Sequence, residues 1–136
     1  MTRKEFLAQL GLTAGAGIAI ACLQGCEKDA PPAPTNVNFA LDLTQVGNAA
    51  LNTDGGYVYS NGIIVARTLA GQYIAVSQAC THQGVNVVYN GQQAQFVCNA
   101  HGSRFSNTGS VVNGPANSAL KQYNVAVNGN TITITG

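Results

Sequence analysis

Beyond residue 36, apolar and polar residues alternate with a period of two, and many apolar positions carry β-branched side chains. Successive side chains of a strand point to opposite faces, so this period predicts strands with one buried face. No stretch beyond residue 36 has a convincing helical period, although residues 44–51 can hold one short helix. We therefore predict an all-β domain of small antiparallel sheets. Its strands are predicted at residues 39–43, 57–59, 63–68, 72–77, 85–89, 93–97, 121–127 and 131–135.

Three of the gaps between these strands carry strong turn signals. Asn-Gly pairs favour the tight turns of β-hairpins because both residues tolerate positive φ angles. Such pairs separate neighbouring strands at Asn61-Gly62, at Asn90-Gly91 and within Asn128-Gly129-Asn130. The sequence therefore predicts a hairpin at each of these places.

Residues 1–25 have a different pattern and are interpreted as an export signal. Arg3 and Lys4 precede an uncharged run over residues 7–24, and small residues lead into Cys26. This order is that of a secretory signal. Its end resembles a bacterial lipobox, which implies cleavage before Cys26 and lipidation of that cysteine. An uncleaved membrane anchor and a secreted chain without lipid are the alternatives, and all three place the domain in the bacterial cell envelope, outside the cytoplasm.

Residues 26–36 are predicted to be a linker, and residues 37–136 the folded domain. The linker contains Pro31, Pro32 and Pro34 among small and polar residues. Proline-rich segments of this kind are extended and semi-rigid. They seldom belong to a sheet because proline cannot donate a backbone hydrogen bond.

Charge excludes one class of function. Charged residues make up 8% of the chain, and its formal net charge is +1. Beyond residue 55 the charged side chains are Arg67, Arg104 and Lys121. Binding of nucleic acid requires several cations that neutralise phosphates, so we expect no nucleic-acid partner.

The predicted domain contains two cysteines and two histidines, arranged as two Cys-His pairs. Cys80 precedes His82, Cys98 precedes His101, and 15 residues separate the pairs. Each pair directly follows a predicted strand, and the hairpin between the pairs would bring them side by side. Two thiolates and two imidazoles can bind one zinc ion or a two-iron cluster with unlike ligands on its two irons. Since each loop contributes one ligand of each kind, the spacing favours the two-iron cluster over a zinc finger.

The pattern Cys-x-His, fifteen residues, Cys-x-x-His resembles the Rieske iron–sulfur family. The resemblance covers residues 63–136 and includes Gly84, Gly102-Ser103 and Gly114-Pro115-Ala116. It implies a Rieske-type fold of three stacked antiparallel sheets, with a cluster-binding subdomain made of two loops. It also implies one [2Fe-2S] cluster.

The resemblance further implies individual roles for the site residues. Cys80 and Cys98 would bind one iron, and His82 and His101 would bind the other, near the surface. Ser103 matches a serine whose hydroxyl donates a hydrogen bond to a cluster sulfur in the quinol-oxidising branch of the family.

The chain also departs from that branch at three positions. Val85 and Ala100 occupy the places of two cysteines that form a disulfide between the loops, and Phe105 occupies that of a tyrosine with a second hydroxyl donor. Hydrogen bonds to sulfur favour the reduced cluster. With one donor kept and one lost, we expect an intermediate reduction potential of about 0 to +250 mV within the Rieske range.

These features predict an envelope-anchored protein that carries single electrons. Its redox partner would be a cytochrome, a quinol-oxidising complex or another oxidoreductase, and its lipid or anchor would contact the membrane. A free-standing Rieske ferredoxin, a small subunit of an enzyme resembling arsenite oxidase, and a zinc-stabilised binding module are the alternatives. A complete Rieske oxygenase needs a further iron bound by two histidines and a carboxylate, and both histidines of the chain already belong to the Cys-His pairs. No substrate site of its own is expected.

Overall fold

A computed structural model describes residues 30–136, which form ten β-strands and one short 3₁₀ helix. The export signal predicted over residues 1–25 and the lipidation predicted at Cys26 lie outside the described residues. The strands are β1 Asn38–Asp42, β2 Tyr57–Ser60, β3 Ile63–Arg67, β4 Tyr73–Ser77, β5 Val88–Asn90, β6 Gln95–Val97, β7 Arg104–Ser106, β8 Val111–Asn113, β9 Gln122–Asn128 and β10 Thr131–Thr135.

These strands form two antiparallel sheets, and the all-β fold class is confirmed. A large sheet has the strand order β1-β10-β9-β4-β3-β2, and a small sheet has the order β5-β6-β7-β8. The three sheets expected appear as two because β9 pairs with both β10 and β4. The pairing with β4 is short and involves only Ala75 with Tyr123 and Val76 with Gln122.

The first and third predicted hairpins are confirmed. Asn61 and Gly62 connect β2 to β3 with φ angles of 54° and 82°. Positive φ at both central positions is what a type I′ hairpin turn requires. Gly129, with a φ angle of 62°, lies in the turn between β9 and β10.

The second hairpin is longer than predicted. Asn90 is the last residue of β5, and residues 91–94 form the turn, with Ala94 at a φ angle of 54°. The Asn90 side chain accepts a hydrogen bond from the Gln93 backbone N–H at 3.1 Å, which supports this wider turn. The strand predicted to begin at residue 85 begins at Val88 instead. Before it, the chain forms only an isolated antiparallel bridge between Ala79 and Asn86, in which Val87 donates its backbone N–H to the carbonyl of Gln78 at 2.8 Å.

In the part of the chain that the structure describes, helical content is confined to Val46–Asn52, where the short helix was predicted. Leu51 is its buried residue. Among residues 30–136, no helix is long and apolar enough to cross a membrane. Strands β7 and β8 were not predicted, because three residues are too few to establish a period of two.

Two apolar cores lie on opposite faces of the large sheet, and β3 contributes to both. Ile63 and Val65 belong to one core, whereas Ile64 and Ala66 belong to the other. Burial of each such large side chain stabilises the fold by about 1.5 to 3 kcal/mol. The second core lies between the sheets and also contains Cys80, Cys98, Phe96 and Phe105. The two cysteines of the candidate site are therefore positioned by the packing that joins the two sheets.

Candidate metal centre

The two Cys-His loops have the same backbone geometry. In each, the cysteine donates its backbone N–H to a carbonyl five residues later, at 2.8 Å from Cys80 to Val85 and at 2.8 Å from Cys98 to Ser103. In each, the cysteine carbonyl accepts the N–H of the glycine four residues later, at 2.7 Å from Gly84 and at 2.9 Å from Gly102. Each loop is therefore closed by its own backbone, without a disulfide.

The two glycines make this geometry possible. Gly84 has a φ angle of 80° and Gly102 one of 83°. Residues with a Cβ adopt such angles only at a cost of roughly 1 to 2 kcal/mol, which glycine avoids. A glycine after each histidine is thus a requirement of the loop backbone.

The two thiols lie together in the core. The exposed fraction is 0% for Cys80 and 2% for Cys98, and the thiols are close enough to interact. Burial raises the pKa of the Cys80 thiol, and the neighbouring Cys98 raises it further. The His82 backbone N–H, which donates to the Cys80 Sγ at 3.5 Å, and the Ser103 hydroxyl act in the opposite direction. Binding of a metal by the Cys80 thiol must therefore release a proton.

The two imidazoles also lie together, but at the surface. The ring centroids of His82 and His101 are 5.0 Å apart, and the rings are perpendicular. His101 is exposed and His82 is half-buried. The Nδ1 atom of His82 is buried and has no hydrogen-bond partner among the described residues. A buried polar atom without a partner is costly in a protein, so this nitrogen is well suited to bind a metal.

Ligands of the same kind are therefore paired, with two sulfurs inside and two imidazoles outside. Within residues 30–136, no three side chains of His, Cys, Asp or Glu are gathered as the ligands of a single ion. The pairing instead fits a group of two metal ions that takes two thiolates at one metal and two imidazoles at the other. The residues present fit a [2Fe-2S] cluster of this type.

Ser103 and Phe105 differ in what they offer this site, although both are fully buried. The Ser103 Oγ accepts the backbone N–H of Ala116 at 3.0 Å, and its hydroxyl interacts with the Cys80 thiol. Ser103 thus lies between the Ala116 backbone and the Cys80 thiol. Phe105 packs in the same core as both cysteines and has no hydroxyl.

A loop that contains Pro115, residues 107–120, contacts both Cys-His loops. The Thr81 hydroxyl of the first loop donates to the carbonyl of Ser118 at 2.6 Å. The second loop is tied to the same segment through Ser103 and Ala116. The Gly114-Pro115-Ala116 motif indicated this segment, but no feature of the sequence identified Thr81 or Ser118 as its contacts. The peptide bond between Gly114 and Pro115 is cis.

Two antiparallel sheets, two buried thiols and two surface imidazoles define the class of Rieske-type iron–sulfur proteins. The family model described as the Rieske [2Fe-2S] domain matches residues 41–124, well over half of the chain. The chain belongs to the Rieske [2Fe-2S] family, and membership in it implies one [2Fe-2S] cluster and a function in electron transfer.

Similar sequences include iron-sulfur subunits of the cytochrome b6-f complex. That of Chlorobaculum thiosulfatiphilum is 30% identical over 135 residues, which cover 97% of this chain and 74% of the relative. That of Chlorobaculum tepidum is 26% identical over the same shares of the two chains. The similarity therefore extends over nearly the whole length of this chain.

Similar solved structures also belong to Rieske proteins. The plasma membrane Rieske protein of Synechocystis PCC 6803 superposes with a TM-score of 0.54 at 34% identity, covering 65% of this chain and 93% of that chain. The ferredoxin of carbazole 1,9a-dioxygenase from Nocardioides aromaticivorans superposes with a TM-score of 0.57 at 23% identity, covering 75% and 98%. The second likeness supports the fold alone.

Proposed function

We propose that Cys80 and Cys98 bind one iron of the cluster and that His82 and His101 bind the other. The observation that carries this assignment is the pairing of two buried thiols behind two surface imidazoles. The unpartnered Nδ1 of His82 supports it further, because a metal would satisfy that atom. When bound, such a cluster supplies a reversible one-electron couple.

In this arrangement the chain's own residues perform three tasks. The apolar core around the cysteines excludes water from the sulfur side of the site. The exposed His101 ring is the part of the site that a redox partner can contact. The imidazole nitrogen that does not face the metal can hold a proton, so that electron and proton uptake are coupled at the histidines.

Loss of a ligand tests this assignment. We expect His101→Ala to abolish the visible absorption of the cluster and the low-temperature electron paramagnetic resonance signal of the reduced protein. Gln83→Ala, in the first loop, is the matched control and should retain both signals. An intact signal in His101→Ala would contradict the ligand assignment, and a colourless wild-type protein that holds zinc would contradict the cluster itself.

We further propose that the domain is tethered in the bacterial cell envelope, where it passes electrons between a quinol- or substrate-oxidising partner and a cytochrome or similar acceptor. The similarity to cytochrome b6-f iron-sulfur subunits over 97% of this chain supports a membrane redox complex. The similarity to a plasma membrane Rieske protein at 34% identity supports the membrane location. Lipidation of Cys26 would supply the tether.

Lipid labelling and partner capture test this second proposal. We expect the wild-type chain, expressed in a bacterium with labelled fatty acid, to carry the label, and Cys26→Ser to lose it. Cys22→Ser is the control for loss of a cysteine in the same segment. A chain that stays in the membrane unlabelled would indicate an uncleaved anchor. Recovery of the loaded protein without any cytochrome or oxidoreductase from mildly solubilised membranes would favour a free carrier.

A further inference from the structure

The segment of residues 31–36 lies against the domain and is fastened at the carbonyl group of Pro34. This oxygen accepts a hydrogen bond from the Tyr123 hydroxyl at 2.7 Å and lies 3.4 Å from the Nζ of Lys121. The Lys121 Nζ also lies 5.1 Å from the centroid of the Tyr123 ring. Tyr123 and Lys121 therefore contact each other as well as the Pro34 carbonyl.

Contacts on both sides of this carbonyl fix its position. Downstream, Val37 and Gly136 exchange backbone hydrogen bonds of 2.8 and 3.1 Å, which extend the pairing of β1 with β10. On the opposite side, a Cβ added to Gly62 would come within 2.8 Å of the Pro34 Cγ. Pro34 thus packs directly on the turn between β2 and β3, in space that only a glycine leaves open.

Upstream of Pro34 the segment passes over a cavity beside the first Cys-His loop. The cavity has a volume of about 450 Å³ and lies between Pro31–Pro34 and a wall that includes Thr81 and Gly84. Consecutive prolines resist bending because their φ angles are fixed. The clamp at Pro34 therefore also directs the preceding residues toward the metal centre.

We propose that residues 31–36 are a strap, fixed to the domain by Tyr123 and Lys121, and that these two side chains are positioning residues for electron transfer. The rigid unit then begins at Pro31, and the chain leaves it beside the first Cys-His loop. Residues 31–36 and the metal centre then move as one body. This consequence for electron transfer rests on the proposed tether, whereas the docking of the strap does not.

Backbone dynamics in the full-length, cluster-loaded chain test the docking. We expect ¹⁵N order parameters of about 0.85 at Thr35 and Asn36, the value of a rigid backbone. In the double variant Tyr123→Phe/Lys121→Met, which removes both donors and keeps the apolar bulk, the values should fall below about 0.6. Low values in the wild type would overturn the proposal, and so would high values retained in the double variant.

Tyr73→Phe is the matched control. The Tyr73 hydroxyl donates to the backbone carbonyl of Leu51 at 3.0 Å, so this substitution removes a bond of the same kind on another part of the sheet. A general loss of stability would affect both variants alike. We expect only the double variant to mobilise Thr35 and Asn36, and equal mobilisation in Tyr73→Phe would contradict a specific clamp.

Electron paramagnetic resonance of oriented membranes separates the strap from the tether. With the strap docked and the chain tethered, the signals of the reduced cluster in the wild type should depend on the angle between the membrane and the magnetic field. This dependence should weaken in Tyr123→Phe/Lys121→Met. Protein that does not sediment with the membranes would contradict the tether and leave the strap supported. Signals independent of the angle from membrane-bound wild type would contradict the positioning role. Equal angular dependence in both proteins would contradict the positioning role.

Discussion

Ser103 is placed to tune the site because its hydroxyl has one partner on each side. Its Oγ accepts the Ala116 N–H at 3.0 Å, which leaves the hydroxyl proton free for the Cys80 sulfur, and this contact lowers the pKa of that thiol. A donor that stabilises negative charge on sulfur also favours the reduced cluster. Ser103→Ala should therefore lower the reduction potential by on the order of 60 mV, a tenfold change in the one-electron equilibrium. Protein-film voltammetry measures this shift.

Ser106→Ala is the control for Ser103→Ala. Among the described residues, the Ser106 Oγ bonds only to Thr108 and Ser110 of its own turn. Its loss should leave the potential unchanged. Ser103→Ala also leaves a buried Ala116 N–H without a partner, at a cost of about 1 to 3 kcal/mol in the free energy of unfolding. An unchanged potential together with this loss of stability would assign Ser103 a structural role alone.

A substitution at Phe105 should change the reduction potential in the opposite direction. It is fully buried in the core that holds both cysteines, and it occupies the place where the quinol-oxidising branch of the family has a tyrosine. Phe105→Tyr should raise the reduction potential, since it adds a hydroxyl donor at this place. Phe96→Tyr, which places a hydroxyl elsewhere in the same core, is the control in the same voltammetric measurement. A potential that falls or stays constant in Phe105→Tyr would show that the added hydroxyl does not donate to sulfur.

The Cys-His loops are elements whose backbone demands glycine. Gly102 has a φ angle of 83°, and a Cβ there would meet no atom within 4 Å. The cost of Gly102→Ala is therefore conformational strain alone, and we expect a loss of about 1 to 2 kcal/mol in the free energy of unfolding of the loaded protein. Gly47→Ala, in the 3₁₀ helix, also has open space but no positive φ angle. Urea titration should show it to be neutral or stabilising, and equal losses would contradict the strain argument.

The sequence predicts elements well where local chemistry decides them. Positive φ angles confirm the hairpin at Asn61-Gly62, and the alternation of residues predicts the long strands. At Asn90 the same Asn-Gly signal failed, because the Asn90 side chain caps a wider turn. The four candidate ligands were predicted from spacing, and the fold brings the two cysteines together and the two histidines together. Contacts between distant segments, such as Thr81 with Ser118 and Pro34 with Tyr123, leave no local signal and became visible only in the fold.

At the scale of the whole molecule, the end that carries the imidazoles is free of charged side chains. Residues 78–87, 98–103 and 107–120, which form the two Cys-His loops and the connecting proline loop, contain no Asp, Glu, Lys or Arg. Among the three cations beyond residue 55, Lys121 lines the cavity beside the first Cys-His loop and donates to the Pro34 carbonyl at 3.4 Å. Arg67 pairs with Asp54 at 2.7 Å. Arg104 donates to Gln93 at 2.6 Å. The protein therefore presents a partner with polar and apolar groups but with little electrostatic steering.

This neutral end predicts rates of electron transfer that respond weakly to salt. The oxidants are anionic hexacyanoferrate(III) and cationic tris(phenanthroline)cobalt(III). We expect the rate at which each oxidises the reduced protein to change by less than about twofold between about 0.01 and 0.1 M ionic strength, where the screening length falls from about 30 to 10 Å. The exposed Asn117 lies in the proline loop and offers a matched test. In Asn117→Asp, oxidation by the anion should become faster as salt rises, because screening weakens its repulsion by the new carboxylate. Oxidation by the cation should become slower, because screening weakens its attraction. A strong dependence in the wild type, with rates for the two oxidants moving in opposite directions, would mean that distant charges govern the encounter, and stopped-flow absorbance of the cluster measures both rates.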